Sequence, residues 1–197
     1  MSSCLPILFS VTGTALVIGS AVITGFVISR IEKGISELED DILDCTNKMS
    51  HGDESIQRSN NMINPADTKL LILQTSNTKK DCSKAITQIF KDYIQGLVYM
   101  YSAANGEGPS QETFKEWESK AIESAKGDAD KLNELQDLSN SLMLQWVKRH
   151  GEILNTRKEK EISVKSKKAL TSKYRDIAIV LQILGLIMVL CKDVVAV

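Results

Sequence analysis

Two histidines are the residues best equipped for chemistry in this chain. His51 and His150 are each followed two positions later by a carboxylate, Asp53 and Glu152. Imidazole and carboxylate donors from two segments form a ligand set that zinc accepts, provided the fold brings the segments together. The same stretches also read as plain turns, because Gly52 and Gly151 stand beside the histidines. Neither stretch has the His-Glu-x-x-His spacing of zinc proteases, and the Glu-x-x-His pairs of di-iron bundles are missing. His51, Asp53, His150 and Glu152 are therefore the only metal-ligating candidates, against a background of turn chemistry.

Other catalytic patterns fail for stated reasons. Gly106-Glu107-Gly108 lacks the further Gly or Lys that a phosphate loop needs, and no Gly-x-Ser-x-Gly occurs. The four cysteines, Cys4, Cys45, Cys82 and Cys191, form no Cys-x-x-Cys pair. Trp117 and Trp146 could stack on a ligand, but each lies on an apolar helical stripe and is expected in a core. Net charge is -1, and the main basic block lies next to an apolar segment, so nucleic acid is not an expected partner. The sequence predicts a non-enzymatic protein with no cofactor.

The elements that would position these residues hang between two apolar runs. Residues 5–29 carry no charged side chain, and residues 177–191 form a second run within the segment 177–197. About 20 apolar residues cross a bilayer core as a helix. The first run is read as a transmembrane helix rather than a signal peptide, because residues 1–4 contain no Lys or Arg. The second is shorter and could be the core helix of a soluble domain. Lys173, Tyr174 and Arg175 flank it like an interfacial belt, which favours a span. Arg30 and Lys33 follow the first run, and Lys165, Lys167, Lys168, Lys173 and Arg175 precede the second. That bias puts the middle of the chain in the cytoplasm.

Residues 30–176 are expected to be a helical bundle. Ile28, Ile31, Ile35, Leu38, Ile42, Cys45 and Met49 recur at steps of three and four, a heptad seam continuing out of the first span. Asn64-Pro65 reads as a helix start, and so does Ser110 after the Asn105–Gly108 break. Arg149-His150-Gly151 reads as a helix end, with Gly127 as the alternative break, and the polar stretch 75–80 as a further weak point. The expected fold is all-α. Two transmembrane helices flank an antiparallel, coiled-coil-like bundle with helices at about 30–62, 65–104, 110–149 and 152–176.

Charge and small residues supply the candidate contact sites. Glu37, Glu39, Asp40, Asp41 and Asp44 crowd the first bundle helix, and Arg157, Lys158, Lys160, Lys165, Lys167, Lys168, Lys173 and Arg175 crowd the last. Helix pairing and binding of anionic lipid headgroups are both open for the basic set. Ala15 with Gly19 and Ala21 with Gly25 are small pairs four apart, which lets membrane helices approach closely. The leading expectation is a membrane-anchored scaffold or signalling protein that self-associates and binds an unidentified protein. A sensory input module of similar layout and a membrane-permeabilising effector are the alternatives. The first is disfavoured by the inward charge bias, and the second needs a polar stripe in the spans.

Overall fold

The computed structural model describes the backbone of residues 4–75, 83–126 and 128–195. It is all-helical, and the described residues contain no strand. Helix α1 (Cys4–Val22) passes through a π-helical turn (Ile23–Ile28) into α2 (Ser29–Thr75) without leaving helical backbone. Helices α3 (Ser83–Asn105), α4 (Gln111–Ala125) and α5 (Ala129–Val195) follow. The chain divides into two compact units. One comprises Met1–Leu43 with Arg157–Val197, the other Asp44–Thr156. The division falls inside the stretch 30–176 that was expected as one bundle. The charged stretches beside the apolar runs group with those runs, because each is packed as part of one continuous two-helix seam.

The unit Asp44–Thr156 owns the larger core. Ile63, Ala66 and Leu70 of α2 meet Ile89, Tyr93, Leu97 and Met100 of α3, Trp117 and Ala121 of α4, and Leu135, Leu142 and Trp146 of α5. Each large apolar side chain buried here contributes about 1.5–3 kcal/mol. Trp117 stacks edge-on against Tyr101 at 5.8 Å. Both tryptophans are core residues, as their stripes predict.

Two expected helix ends are absent. Pro65 lies inside α2, which continues to Thr75. The loss of one backbone hydrogen bond, about 3 kcal/mol in an isolated helix, is offset because Ile63, Ala66 and Leu70 stay on one buried face across the proline. Helix α5 runs through Arg149, His150 and Gly151 unbroken. A mid-helix glycine costs only about 1 kcal/mol, while Leu142, Trp146 and Val164 are buried on either side of it. The break falls instead between α4 and α5. Asp128 caps α5 there, its Oδ1 accepting from the amides of Asp130 and Lys131 at 3.1 and 3.3 Å. Gly127 itself, and residues 76–80 of the polar stretch, lie outside the described residues.

Other local readings match. Ser110 caps α4, its hydroxyl accepting from the Thr113 amide at 3.1 Å. Gly106 ends α3 in the left-handed region at φ 87°, its amide bonded to the Ser102 carbonyl. The Arg149 guanidinium lies over Gly106 and donates to the Ala103 carbonyl at 3.3 Å. Its charge thus serves the C-terminal end of α3 rather than of its own helix.

Within the unit Met1–Leu43 with Arg157–Val197, burial follows two facing stripes. Gly13, Ser20, Ile28 and Ile35 are buried on one side, and Val164, Thr171, Ala178 and Gly185 on the other. The second set repeats every seven residues. The first set steps by seven, eight and seven, and the eight-residue step spans the π-turn. In a regular α-helix an eighth residue would rotate the stripe by about 100°. The wider π-turn takes up that residue and keeps Ser20 and Ile28 on one face. Of the predicted series, Ile28, Ile31, Ile35, Leu38 and Ile42 in this unit are buried or half-buried, as are Cys45 and Met49 in the other.

Candidate functional site

The two apolar stretches touch where both lack a side chain. A Cβ built on Gly13 would lie 2.6 Å from the Gly185 carbonyl oxygen, and one on Gly185 would lie 2.6 Å from that of Gly13. The close approach expected of Ala15, Gly19, Ala21 and Gly25 is therefore made by Gly13 and Gly185 instead. Ala15, Ala21 and Gly25 are exposed, and Gly19 meets nothing within 4 Å. The reason is phase: Gly13 shares the seam face with Ser20 and Ile28, and the predicted pairs lie off it.

Beyond the apolar stretches the same two segments are cross-linked by charge. Arg175 donates to Glu32 at 3.2 Å, Lys168 to Glu39 at 2.7 Å and Lys160 to Asp41 at 2.6 Å. Lys167 donates to the Gly34 carbonyl at 3.3 Å. Residue numbers rise on one segment as they fall on the other, so the segments run in opposite directions. Of the acids expected to pair helices, Glu39 and Asp41 bridge across among the described residues. Asp44 pairs along its own helix with Lys48, at 2.6 Å, because it has turned away from the seam. Glu37 and Asp40 are exposed and make no ion pair among the described residues. Glu32, which sequence reasoning missed, takes Arg175; its position three residues before Ile35 in the seam was the available signal. Lys165 and Lys173 are exposed and bridge to no described carboxylate.

The histidine candidates separate. His150 Nε2 lies 4.0 Å from Asp53 Oδ1, and its ring packs edge-on against Trp146 at 5.2 Å. His51 and Glu152 are exposed and join neither. Among the described residues no group of three or more His, Cys, Asp or Glu is placed to hold a metal ion. Gly52 explains itself by packing: a Cβ there would collide with the Trp146 ring.

Polar groups do sit inside the Asp44–Thr156 core. The Ser59 hydroxyl and the Tyr93 phenol are buried without a hydrogen-bond partner among the described residues. Ser139 directs its hydroxyl to the Met100 sulfur at 3.7 Å. Burial, and then the Asp67 charge, push the Tyr93 phenol above its ordinary value. Burial also raises Asp67 above its ordinary value, partly opposed by a hydrogen bond from Gln136 at 3.3 Å. A groove of about 770 Å³ between α3 and α4 is lined by Phe90, Ile94, Phe114 and Ile122, with Lys91 and Glu118 at its rim.

Two helices are long and apolar enough to cross a membrane, within Ile7–Leu70 and Ala129–Cys191. Only 17% and 11% of their most apolar windows is buried. Ile7, Leu8, Val11, Ile18 and Phe26 stand exposed on one, and Ile179, Ile183, Leu186, Ile187 and Leu190 on the other. Against protein-family models, curated proteins and solved structures, the chain has no match.

Proposed function

We propose that this protein is a non-enzymatic scaffold anchored in a bilayer by both apolar segments, with an antiparallel helical bundle held in the cytoplasm. The observation that carries the reading is the exposure of the apolar segments on every side except the Gly13–Gly185 seam. A core helix of a soluble domain buries such residues, and a water-facing patch of this extent is rare. Hydrocarbon is the solvent that suits it. The Lys and Arg residues beside both segments orient the bundle inward.

Self-association is part of the proposal. Ala15 with Gly19 and Ala21 with Gly25 are two small-residue pairs, on different faces of the helix, that the seam leaves open, so a second copy can approach at either. A pore-forming reading gains nothing from the span hydroxyls. Thr12, Thr14 and Thr24 donate to the carbonyls of Leu8, Ser10 and Ser20 on their own helix, at 2.8, 2.8 and 3.0 Å.

The test is sidedness. Glu107→Cys and Asn140→Cys, both at exposed positions, are placed singly in a cysteine-free chain, and intact cells are treated with a membrane-impermeant thiol reagent. Protection until lysis is expected. Labelling of intact cells would overturn the orientation and move the bundle to the outer side.

A further inference from the structure

The basic residues beside the apolar segments fall into two sets. One set is occupied: Lys160, Lys168 and Arg175 each hold a carboxylate of the facing helix. The other set opens on a different cleft. Phe26, Val27, Arg30, Ile31, Lys167 and Leu170 line a hollow of about 480 Å³. Its lining contains two cations and no carboxylate. Arg30 is exposed and forms no ion pair among the described residues. Lys167 has three donors and gives one of them to a neutral carbonyl, that of Gly34. The floor is apolar, and Phe26 is 79% exposed. Phe26 lies inside the π-turn Ile23–Ile28, where the regular helical spacing is broken.

We infer that this cleft is a binding site for one anionic phospholipid. The inference rests on the bilayer-anchored reading above. Arg30 and Lys167 clamp the phosphate, Arg30 through its planar fork and Lys167 through the donors it does not give to Gly34. An acyl chain lies along Phe26, Val27 and Leu170. The depth is right, because Arg30 immediately follows the uncharged run that ends at residue 29, which is where headgroup phosphates lie. Two basic residues near an anionic surface give a preference of about tenfold or more for an anionic over a zwitterionic lipid.

The experiment uses the full chain. Purified protein in a neutral detergent is mixed with phosphatidylglycerol or phosphatidylcholine, and lipid retained per chain is read by native mass spectrometry. Wild type is expected to retain one phosphatidylglycerol about tenfold better than phosphatidylcholine. Arg30→Gln with Lys167→Gln removes the preference. Lys165→Gln with Lys173→Gln, an equal change of charge away from the cleft, retains it, and Arg30→Lys, which keeps the charge but not the fork, retains it in part. Equal loss in the two double variants would overturn the cleft in favour of diffuse attraction. Displacement by inorganic phosphate alone would overturn the lipid in favour of a free anion, and no anionic preference in wild type would overturn both. Flotation of each variant with phosphatidylcholine vesicles separates this from the anchoring proposal. Failure of wild type to float sinks the anchor, whereas flotation without preference sinks only the lipid site. Unchanged helicity by circular dichroism shows that a variant that loses the lipid still folds.

Discussion

Gly13 and Gly185 meet backbone to backbone, each glycine leaving 2.6 Å between the position of an added Cβ and the other's carbonyl oxygen. Backbone on both sides means that no side chain can move aside. Gly13→Leu or Gly185→Leu should destabilise the pair of apolar helices by about 1–3 kcal/mol or force them apart. Gly19→Leu, with open space around it, should leave the fold intact and weaken self-association instead. Thermal melts in detergent, with crosslinking to read oligomeric state, distinguish the two effects. A destabilising Gly19→Leu would count against a seam centred on Gly13.

The charged crosslinks should specify pairing more than they stabilise. Asp41, Glu39 and Glu32 are half or more exposed, and each pair is expected to contribute about 0–1 kcal/mol. A double-mutant cycle on Glu39 and Lys168 should give a coupling of that size, shrinking at high salt. Reversing Glu32, Glu39 and Asp41 together should lower the melting temperature, and reversing Lys160, Lys168 and Arg175 as well should restore it. Failure of the compensating reversal would show that the basic side acts on something other than these acids.

Two glycines near the histidines should respond in opposite directions. Gly52→Ala drives a methyl into the Trp146 ring and should cost about 1–3 kcal/mol. Gly151 lies inside α5 with nothing within 4 Å of an added Cβ. Gly151→Ala should therefore stabilise by about 0.5–1 kcal/mol. A helix ending at Gly151 in left-handed backbone would give the contrary sign, so chemical denaturation of this one variant tests the continuity of α5.

Asp67 should make the protein more stable as pH falls through the carboxylate range. Burial raises its folded pKa above the ordinary aspartate value. Between the unfolded and folded values the native state binds more proton than the unfolded state, so stability drops as pH rises there. Above the folded pKa the cost of the buried charge is fully present. Asp67→Asn keeps a partner for Gln136 and removes that cost. It should raise the melting temperature at pH 7 by roughly 1–3 °C, with the advantage vanishing below about pH 4. An advantage independent of pH would mean that the aspartate is not the titrating group.

Much of the helical order is legible in periodicity, because one seam residue every three or four positions is a signal that survives without contacts. Ile28 to Met49 can be read residue by residue. The ends are less legible. Pro65 and Gly151 carry strong local preferences for a helix boundary, yet the buried side chains on both sides outweigh a penalty of about 1–3 kcal/mol. The acidic partners are half visible: the cluster on α2 is plain, but selecting Glu32 and Asp41 over Glu37 and Asp44 requires knowing which face turns to the neighbour. Of the Arg30–Lys167 cleft, Lys167 is visible as one of the basic residues open to lipid headgroups, but the hollow it shares with Arg30 and Phe26 is not, because it depends on which faces of the two helices meet.

That turn has a consequence for length. Ile23–Ile28 holds one residue more than the seam needs, so the helix carries slack at this place and nowhere else along the stripe from Gly13 to Ile35. Removing Thr24 should let the segment relax to ordinary α-helix with Ser20 and the former Ile28 still aligned, and the chain should keep its melting temperature within a few degrees. Removing a residue such as Ser36 should instead turn everything on one side of the cut by about 100° and abolish the seam. The π-turn is thus a slip joint: it tolerates a change in length of one residue while leaving the angular position of both flanking segments untouched.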